Sequence, residues 1–384
     1  MIVEVGKLKL KVTVYGLHEL DSRILQQWQE LEERALESNA YLSPSFIVPA
    51  LKYLTPNLRP LIVCIESILG VDHRLTGVGV FEYKTGTKNF PLPHVRAYLS
   101  PHSYLSGLLI DKDLVEPTLT AFFKYFCSFR GCYGIKFENR TADTQMAQQL
   151  DMVASHLKIA WIERIRKKRA ILIPRKTDSK LPEGPSVHKT SKSWRRSMKF
   201  LSKMGNVGWQ VLSGKQIDRD CIDRFLNLEH RGWKGTEGTS LLSKPHEEAF
   251  FREMISGFAQ NGRAYFTELA IDDRVISSTS NLISAKAGFA FKVGWDQEFA
   301  EGSPGILNEI EFIENAAKVF PHLAYIDSGA EEGSYIDKLW QDRYALVSGF
   351  YATRALARPV LAAVEYARRT KRALSYRNCR KNEG

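Results

Sequence analysis

The order of predicted helices and strands after residue 190 restricts the fold of this chain more than any other feature. The spacing of apolar residues predicts a basic helix at 192–203 and then the order β-α-α-β-β-β-α-β-α-β over 207–351. Three strands at 264–271, 275–283 and 288–295 form the middle of this series, and a hairpin turn joins the first two. Some of these strands alternate with helices, and others follow one another directly. This combination indicates an α/β protein whose sheet is mixed, as in the α+β class.

The first half of the chain repeats this order less regularly. Its predicted elements are a strand at 8–15, helices at 21–37 and 45–53, strands at 61–67 and 76–83, a helix at 114–129, a strand at 133–138, a helix at 141–156 and a strand at 169–173. No repeat of individual residues is visible between the halves. The shared order of elements nevertheless predicts two tandem folds of one topology.

Basic residues concentrate where the two halves meet. The chain has 54 Lys and Arg against 43 Asp and Glu, a net charge of +11, and fourteen of the basic residues lie in 164–203. Such a charge favours anionic partners, without separating nucleic acid from membrane headgroups, coenzyme phosphates or acidic sugars. Pro, Gly and Ser within this region predict a basic linker or surface loop at 176–192. We therefore expect an N-terminal domain at 1–175, a second domain at 186–352 and a basic C-terminal helix and tail at 353–384.

The sequence also argues against several classes of protein. The five cysteines are odd in number and include no C-x-x-C pair, so we expect neither a disulfide framework nor a metal site. No apolar run approaches the roughly 18 residues of a membrane span, so we expect no integral membrane association. Lys7, Lys9 and Lys11 interrupt the apolar run that a signal peptide needs, which predicts a cytoplasmic protein.

One candidate site is the helix start formed by Ser303, Pro304 and Gly305. Serine is a favoured N-cap, and proline is favoured at the first helical position. Helix starts offer free N–H groups to phosphate, and Gly302 and Gly305 would let the backbone approach a pyrophosphate closely. The alternative is simply a well-capped helix. Because the segment follows a strand of the mixed sheet, we predict phosphate binding by Gly302, Ser303 and Gly305.

Two charged residues on predicted strands are candidates for catalysis. Lys292 lies on an interior strand, where burial of an unpaired ammonium is unfavourable. It is suited to hold an anionic group or to stabilise a developing oxyanion, unless it pairs with Asp296 or Asp327. Asp327 ends a strand and is suited to act as a base, or only to begin a turn. We predict Lys292 and Asp327 as catalytic residues and Asp296 as a substrate contact.

A glycine-rich segment at 229–239, EHRGWKGTEGT, follows a predicted helix. Loops held by a rigid scaffold commonly carry function, so Glu229, Trp233 and Lys234 are predicted to contact the acceptor substrate. An equally good interpretation is that Gly232 ends the helix and that Trp233 folds back on the core.

Together these segments resemble the GNAT acyltransferase fold. More closely, they resemble the acetyltransferase domain of CelD/BcsL-type cellulose-biosynthesis proteins, which is related to the FemAB aminoacyltransferases. The resemblance extends from the basic helix to Tyr344. The residues that carry it are Thr190, Ser191 and Lys192 with Arg195 and Arg196, Leu228 and Glu229 with Gly232, Trp233, Lys234 and Gly235, Gly238 and Thr239, Phe291 and Lys292 with Asp296, Phe299 and Ala300, Ser303, Pro304 and Gly305, and residues 327–340.

The resemblance implies tandem GNAT-like folds in a FemAB-like arrangement and a cytoplasmic location. It implies transfer of an acyl group from acetyl-CoA or another acyl-CoA to an amine or hydroxyl of a small-molecule or saccharide acceptor, in polysaccharide or cell-envelope biosynthesis. The donor pyrophosphate would lie at Gly302, Ser303 and Gly305. The acceptor would attack the thioester directly, with a backbone N–H of the preceding strand polarising the carbonyl.

Two alternatives stay open. The helix start departs from the usual GNAT loop, Q/R-x-x-G-x-G/A, because Phe299 and Pro304 occupy two of its positions when Gly302 is aligned with the first glycine. An aminoacyl-tRNA donor, as in FemAB enzymes, therefore remains a candidate, and it would bind the basic strip at 164–203. The third interpretation is a binding protein that has kept the fold and lost the chemistry.

Overall fold

A computed structural model describes residues 1–69, 72–174, 189 and 191–381. Within these ranges the strands form one sheet. They are β1 Ile2–Val5, β2 Leu8–Tyr15, β3 Leu61–Leu69, β4 Asp72–Lys84, β5 His94–Ala97, β6 Leu109–Ile110, β7 Gly134–Thr141, β8 Ala160–Leu172, β9 Val207–Ser213, β10 Ala264–Ile271, β11 Arg274–Ser284, β12 Ala287–Trp295, β13 Tyr325–Asp327 and β14 Asp342–Ala352.

The α-helices follow the predicted order closely. They are α1 Ser22–Arg34, α2 Pro44–Pro49, α3 Val115–Ser128, α4 Gln145–His156, α5 Lys192–Leu201, α6 Arg219–Arg231, α7 Trp233–Thr236, α8 Pro245–Gln260, α9 Pro304–Val319 and α10 Ala357–Lys381. A π-helical turn, Ala50–Leu54, continues α2. None of the helices in the described ranges has the length and apolar character needed to cross a membrane.

The two halves exchange their last strands. The strand order is β1-β2-β3-β4-β5-β7-β14-β8-β13-β12-β11-β10-β9, with β6 on β4. β8 ends the first half in sequence but pairs with β13 of the second half, whereas β14 of the second half pairs with β7 of the first. β14 and β8 then pair with each other along eleven residues. The mixed sheet and the two similar halves confirm the predicted fold class.

Helices cover both faces of the second half of the sheet. Tyr265 and Phe266 are neighbours on β10, so their side chains point to opposite faces. The Tyr265 ring lies 4.3 Å from that of Phe320, at the end of α9, between ring centroids. The Phe266 ring lies 5.3 Å from that of Phe225 on α6. The apolar side chains between the sheet and helices α6 and α8 belong to the same hydrophobic core as those of the first half. This shared core packs the two halves together.

Two predicted elements differ from the structure. β8 begins at Ala160, well before the predicted start at 169, because the basic residues in its middle obscured the strand pattern. In the folded chain these cations form ion pairs with carboxylates. For example, Lys167 Nζ lies 2.6 Å from Glu331 Oε2. The helix predicted near 334–341 is instead a single 3-10 turn, Tyr335–Lys338. Most of the predicted linker at 176–192 lies outside the described residues, so the domain boundaries stay a prediction.

Candidate functional site

Strand β12 has an open edge at the centre of the second half. β12 and β13 pair in parallel only where Ala287 to Phe289 face Tyr325 to Asp327. β12 continues for six residues to Trp295, and none of the described strands pairs with it on that side. The edge therefore offers backbone groups to a ligand.

A β-bulge shapes this edge. On the other side of β12, Ser280 pairs with Lys292 and Asn281 pairs with Ala290, so Phe291 is an extra residue without a partner. The carbonyl of Phe291 accepts a hydrogen bond from the Tyr104 hydroxyl at 3.4 Å.

A cavity of about 320 Å³ lies between this edge and the start of α9. Its lining residues are Lys234, Val293, Trp295, Ala300, Ser303, Pro304, Gly305, Ile306 and Tyr335. Three of the residues predicted from the sequence, Lys234, Ser303 and Gly305, are therefore brought together around one space. A larger groove of about 910 Å³ lies elsewhere, between the start of α6 and α8.

The start of α9 differs in detail from the prediction. Ser303 is the N-cap residue and Pro304 follows it in the first turn, as predicted, but Ser303 adopts a left-handed conformation with φ 48° and its side chain makes no capping hydrogen bond. The Ser303 carbonyl instead accepts from the N–H groups of Ile306 and Leu307 at 3.0 and 3.1 Å. Pro304 has no N–H. Within the described part of the chain, Gly305 is thus the residue of the first helical turn whose N–H remains available to a ligand.

Gly302 has a packing role in this structure. A Cβ at this position would lie 2.3 Å from Cδ2 of Leu201 on α5, so the space in front of Gly302 is occupied by that side chain. Gly302 is buried and does not line the cavity. The glycine permits α5 to pack against the turn before α9.

The buried Glu229 and the half-buried Lys234 form an ion pair. Lys234 Nζ lies 2.9 Å from Glu229 Oε1 and donates to the Val293 carbonyl at 3.0 Å. The other carboxylate oxygen of Glu229 accepts from the Leu241 N–H at 2.9 Å. Glu229 therefore ties the segment between α6 and α8 to the sheet, and Lys234 is the member that reaches the cavity. The side chain of Trp233 lies outside the described residues.

Lys292 carries a charge without a close partner. No carboxylate of the described residues lies within 4.0 Å of its ammonium, although Glu229 and Glu247 act on it through longer distances. Burial lowers the pKa of Lys292, and the charge of Lys244 adds to this, while the two glutamates oppose it. The structure does not show the alternative role for Lys292, a pairing with Asp296 or Asp327.

Asp327 and Asp296 are held in other contacts. The buried Asp327 carboxylate accepts from the Tyr344 hydroxyl and from the Gly329 N–H, and Arg169 Nη1 lies 3.4 Å from it. Asp296 begins the turn before α9 by accepting from the Glu298 N–H at 3.1 Å, and it pairs with Arg274 at 2.7 Å. Both arrangements are typical of structural carboxylates.

The sequence did not single out any individual residue of the first half for the site. The loop at 98–108, between β5 and β6, reaches β12 of the second half through Tyr104 and His102. His102 Nε2 lies 3.3 Å from Glu247 Oε2, and its ring stacks on Phe250 at 5.6 Å. Because 145 positions separate His102 from Glu247 in the chain, no local motif joins them.

Comparisons with known proteins identify a similar family and similar folds. Residues 188–335 match the family described as acetyltransferase (GNAT) domain. No curated protein matches the chain in sequence.

Several solved structures share the fold of the chain. The crystal structure of FemX is 12% identical, with a TM-score of 0.54 over 89% of this chain and 98% of that one. A conserved protein of unknown function from Bacteroides thetaiotaomicron is 10% identical, with a TM-score of 0.52 over 89% and 100%. The C-terminal domain of a putative lysylphosphatidylglycerol synthetase from Agrobacterium fabrum is 8% identical, with a TM-score of 0.51 over 89% and 94%. Residues 188–335 are therefore similar to the GNAT acetyltransferase family, and the fold of the chain is similar to that of FemX.

Proposed function

We propose that this protein transfers an acyl group from acyl-CoA to an amine or hydroxyl acceptor. The observation that carries the proposal is the open edge of β12 beside the cavity at the start of α9. An extended ligand arm that contains amide groups can add to such an edge through main-chain hydrogen bonds. The arm of acyl-CoA between the thioester and the phosphates has this chemistry.

The described residues fit such a donor in part. Val293 and Trp295 form the open edge, and Gly305 supplies a free N–H at the positive end of the α9 dipole, where a phosphate is favoured. In this proposal Ser303 and Gly305 face the donor, whereas Gly302 holds α5 in place. Acetyl-CoA or a longer acyl-CoA is the donor, and no metal takes part.

Lys292 is the charged group that we assign to the reaction. The nitrogen or oxygen of the acceptor attacks the thioester carbonyl, the new bond forms to the carbonyl carbon, and the thiolate leaves. A buried positive charge stabilises an oxyanion far better than an exposed one, because the surroundings have a low dielectric constant. Asp327, predicted as a second catalytic residue, has a structural role in this proposal because Arg169 and Tyr344 already engage its carboxylate.

For the acceptor, we propose a saccharide or a similar small metabolite. The resemblance to CelD/BcsL-type proteins supports this choice and suggests polysaccharide or cell-envelope biosynthesis in the cytoplasm. Lys234 is the predicted acceptor contact that lines the cavity, and Glu229 positions it through the ion pair with its ammonium group. Asp296 would act on the acceptor only indirectly, because its carboxylate caps the turn before α9.

Calorimetric titration with acetyl-CoA and with a longer acyl-CoA tests the donor. Gly305→Glu places a negative charge in the cavity, and its Cβ would meet Trp295 only at an ordinary 3.4 Å. We expect micromolar binding by the wild type and its loss in this variant. Gly208→Glu is the matched control, since it adds the same charge on β9, where a Cβ meets no atom of the described residues within 4 Å. Equal binding by both variants would refute the proposed donor site.

A second candidate is an aminoacyltransferase with an aminoacyl-tRNA donor. One observation favours it: α5, packed beside the turn that leads into α9, exposes Lys192, Arg195, Arg196 and Lys199. Absence of acyl-CoA binding, together with a tRNA complex that weakens steeply with salt, would support this candidate. Donor binding without turnover on any acceptor would support a non-catalytic binding protein.

A further inference from the structure

The loop at 98–108 places a histidine from the first half against strand β12 of the second half. The loop is held at two points around Tyr104. Its hydroxyl donates to the Phe291 carbonyl on β12 at 3.4 Å, and its own carbonyl accepts from Arg169 Nη1 at 3.0 Å. His102 is thereby fixed beside Phe291, with 6.3 Å between the ring centroids.

His102 is buried and has no hydrogen-bond partner on either ring nitrogen within the described part of the chain. Buried polar groups are normally hydrogen-bonded, so an orphaned imidazole requires an explanation. The nearby carboxylate of Glu247 approaches Nε2 to 3.3 Å without the geometry of a hydrogen bond. A substrate N–H or O–H that enters beside Lys292 would supply the missing partner.

The charges around His102 determine its protonation. Burial and the positive charge of Lys292 lower the pKa of His102 to about 4, and Lys244 adds to this effect, while Glu247 opposes it. The imidazole is therefore neutral near pH 7 and has a free lone pair. Glu247 is placed to stabilise the imidazolium once a proton has been taken up.

We propose that His102 accepts the proton of the attacking acceptor group during acyl transfer. This inference rests on the proposed acyltransferase function. The acceptor nitrogen or oxygen forms a bond to the thioester carbonyl carbon, the bond from that carbon to sulfur breaks with its electron pair on sulfur, and the acceptor proton moves to His102. The thiolate takes a proton from water, and His102 returns its proton to water, so the sum is ester or amide plus free thiol.

The test compares His102→Asn with His94→Asn. His94 is also buried, but it lies in the first half and its Nδ1 contacts the Leu92 carbonyl at 2.9 Å. Release of thiol from acetyl-CoA is followed with glucosamine and with water as acceptors. We expect kcat to fall about 10²–10⁴-fold in His102→Asn, as for loss of a general base, with acetyl-CoA binding unchanged and His94→Asn near the wild type.

The pH profile separates a proton acceptor from a structural residue. Loss of activity on acidification should follow protonation of His102. Lys244→Met removes a charge that lowers the pKa of His102, so the acidic limb of its profile should move to higher pH. Two results overturn the inference. One is an acidic limb that does not move in this variant. The other is equal thiol release by His102→Asn and the wild type, and this includes the case in which neither protein releases thiol. Failure of the wild type to bind acetyl-CoA in calorimetry would instead refute the proposed function.

Discussion

Replacement of Asp327 by asparagine tests how the exchanged strands are held. Asp327 on β13 and Arg169 on β8 are 0% and 1% exposed, with 3.4 Å between Asp327 Oδ2 and Arg169 Nη1. Asparagine keeps the size of the side chain and one oxygen, but it removes the negative charge. Nε and Nη2 of Arg169 already have no hydrogen-bond partner in the described residues. The variant therefore leaves a buried cation without a counter-charge.

The size of the expected destabilisation follows from the burial of Asp327 and Arg169. Removal of one partner from a buried ion pair lowers the free energy of unfolding by about 3–5 kcal/mol. At an unfolding entropy of about 2.1 cal/mol/K per residue, 384 residues give roughly 0.8 kcal/mol per degree. The expected decrease in Tm is about 4–6 °C. Arg169→Met added to Asp327→Asn should restore most of this loss, since apolar replacement of a buried pair is close to neutral.

Urea denaturation followed by circular dichroism measures these differences. Glu4→Gln is the control, because Glu4 and Lys9 form a pair at 3.8 Å with side chains 69% and 63% exposed, and its loss should change stability by less than about 1 kcal/mol. A similarly small effect of Asp327→Asn, or a double variant no more stable than the single one, contradicts the reasoning. Wild-type acyl transfer by folded Asp327→Asn would also remove Asp327 from the predicted catalytic residues.

Two further predictions concern packing and pH. Gly302→Ala brings a Cβ within 2.3 Å of Leu201 Cδ2 and should lower the free energy of unfolding by about 1–3 kcal/mol in urea titrations; no change would mean that α5 moves aside freely. Burial raises the pKa of Glu309 from 4.5 to about 7, although Trp340 Nε1 donates to it. The stabilisation from this protonated carboxyl is complete below about pH 4.5 and is lost as the pH rises through about 7. Glu309→Gln should therefore be more stable than the wild type by about 3 kcal/mol at pH 8 and far less so at pH 5, and equal urea midpoints at pH 8 would contradict this.

The sequence predicts elements whose signals are local. The strands at 264–271 and 288–295 and the helix after Ser303 are close to their predicted positions, because the spacing of apolar residues and a proline at the first helical position act within one element. The left-handed Ser303 escaped prediction because its conformation depends on the turn before it. The start of β8 at Ala160 was missed since its cations are neutralised by residues distant in sequence.

The candidate site was predictable only where its residues share a segment. Lys234, Ser303 and Gly305 line the cavity, and each belongs to a motif that is visible in the sequence. Whether a carboxylate faces a ligand or a structural cation depends on pairing between strands, so the contact of Asp327 with Arg169 had no signal in the sequence. His102 was missed for the same reason, because its neighbours come from the other half of the chain.

The strand exchange has a consequence for synthesis of the protein. β8 ends at Leu172 and β14 begins at Asp342, yet β14 must lie between β7 and β8. At about 5–20 residues per second, a ribosome needs roughly 10–35 s to make the intervening chain. During that time β8 and the edge of β7 opposite β5 lack the strand β14 that pairs with them in the folded protein, and such open edges are templates for association with other chains. A nascent first half therefore exposes these strand edges to other chains until the final strand has been made.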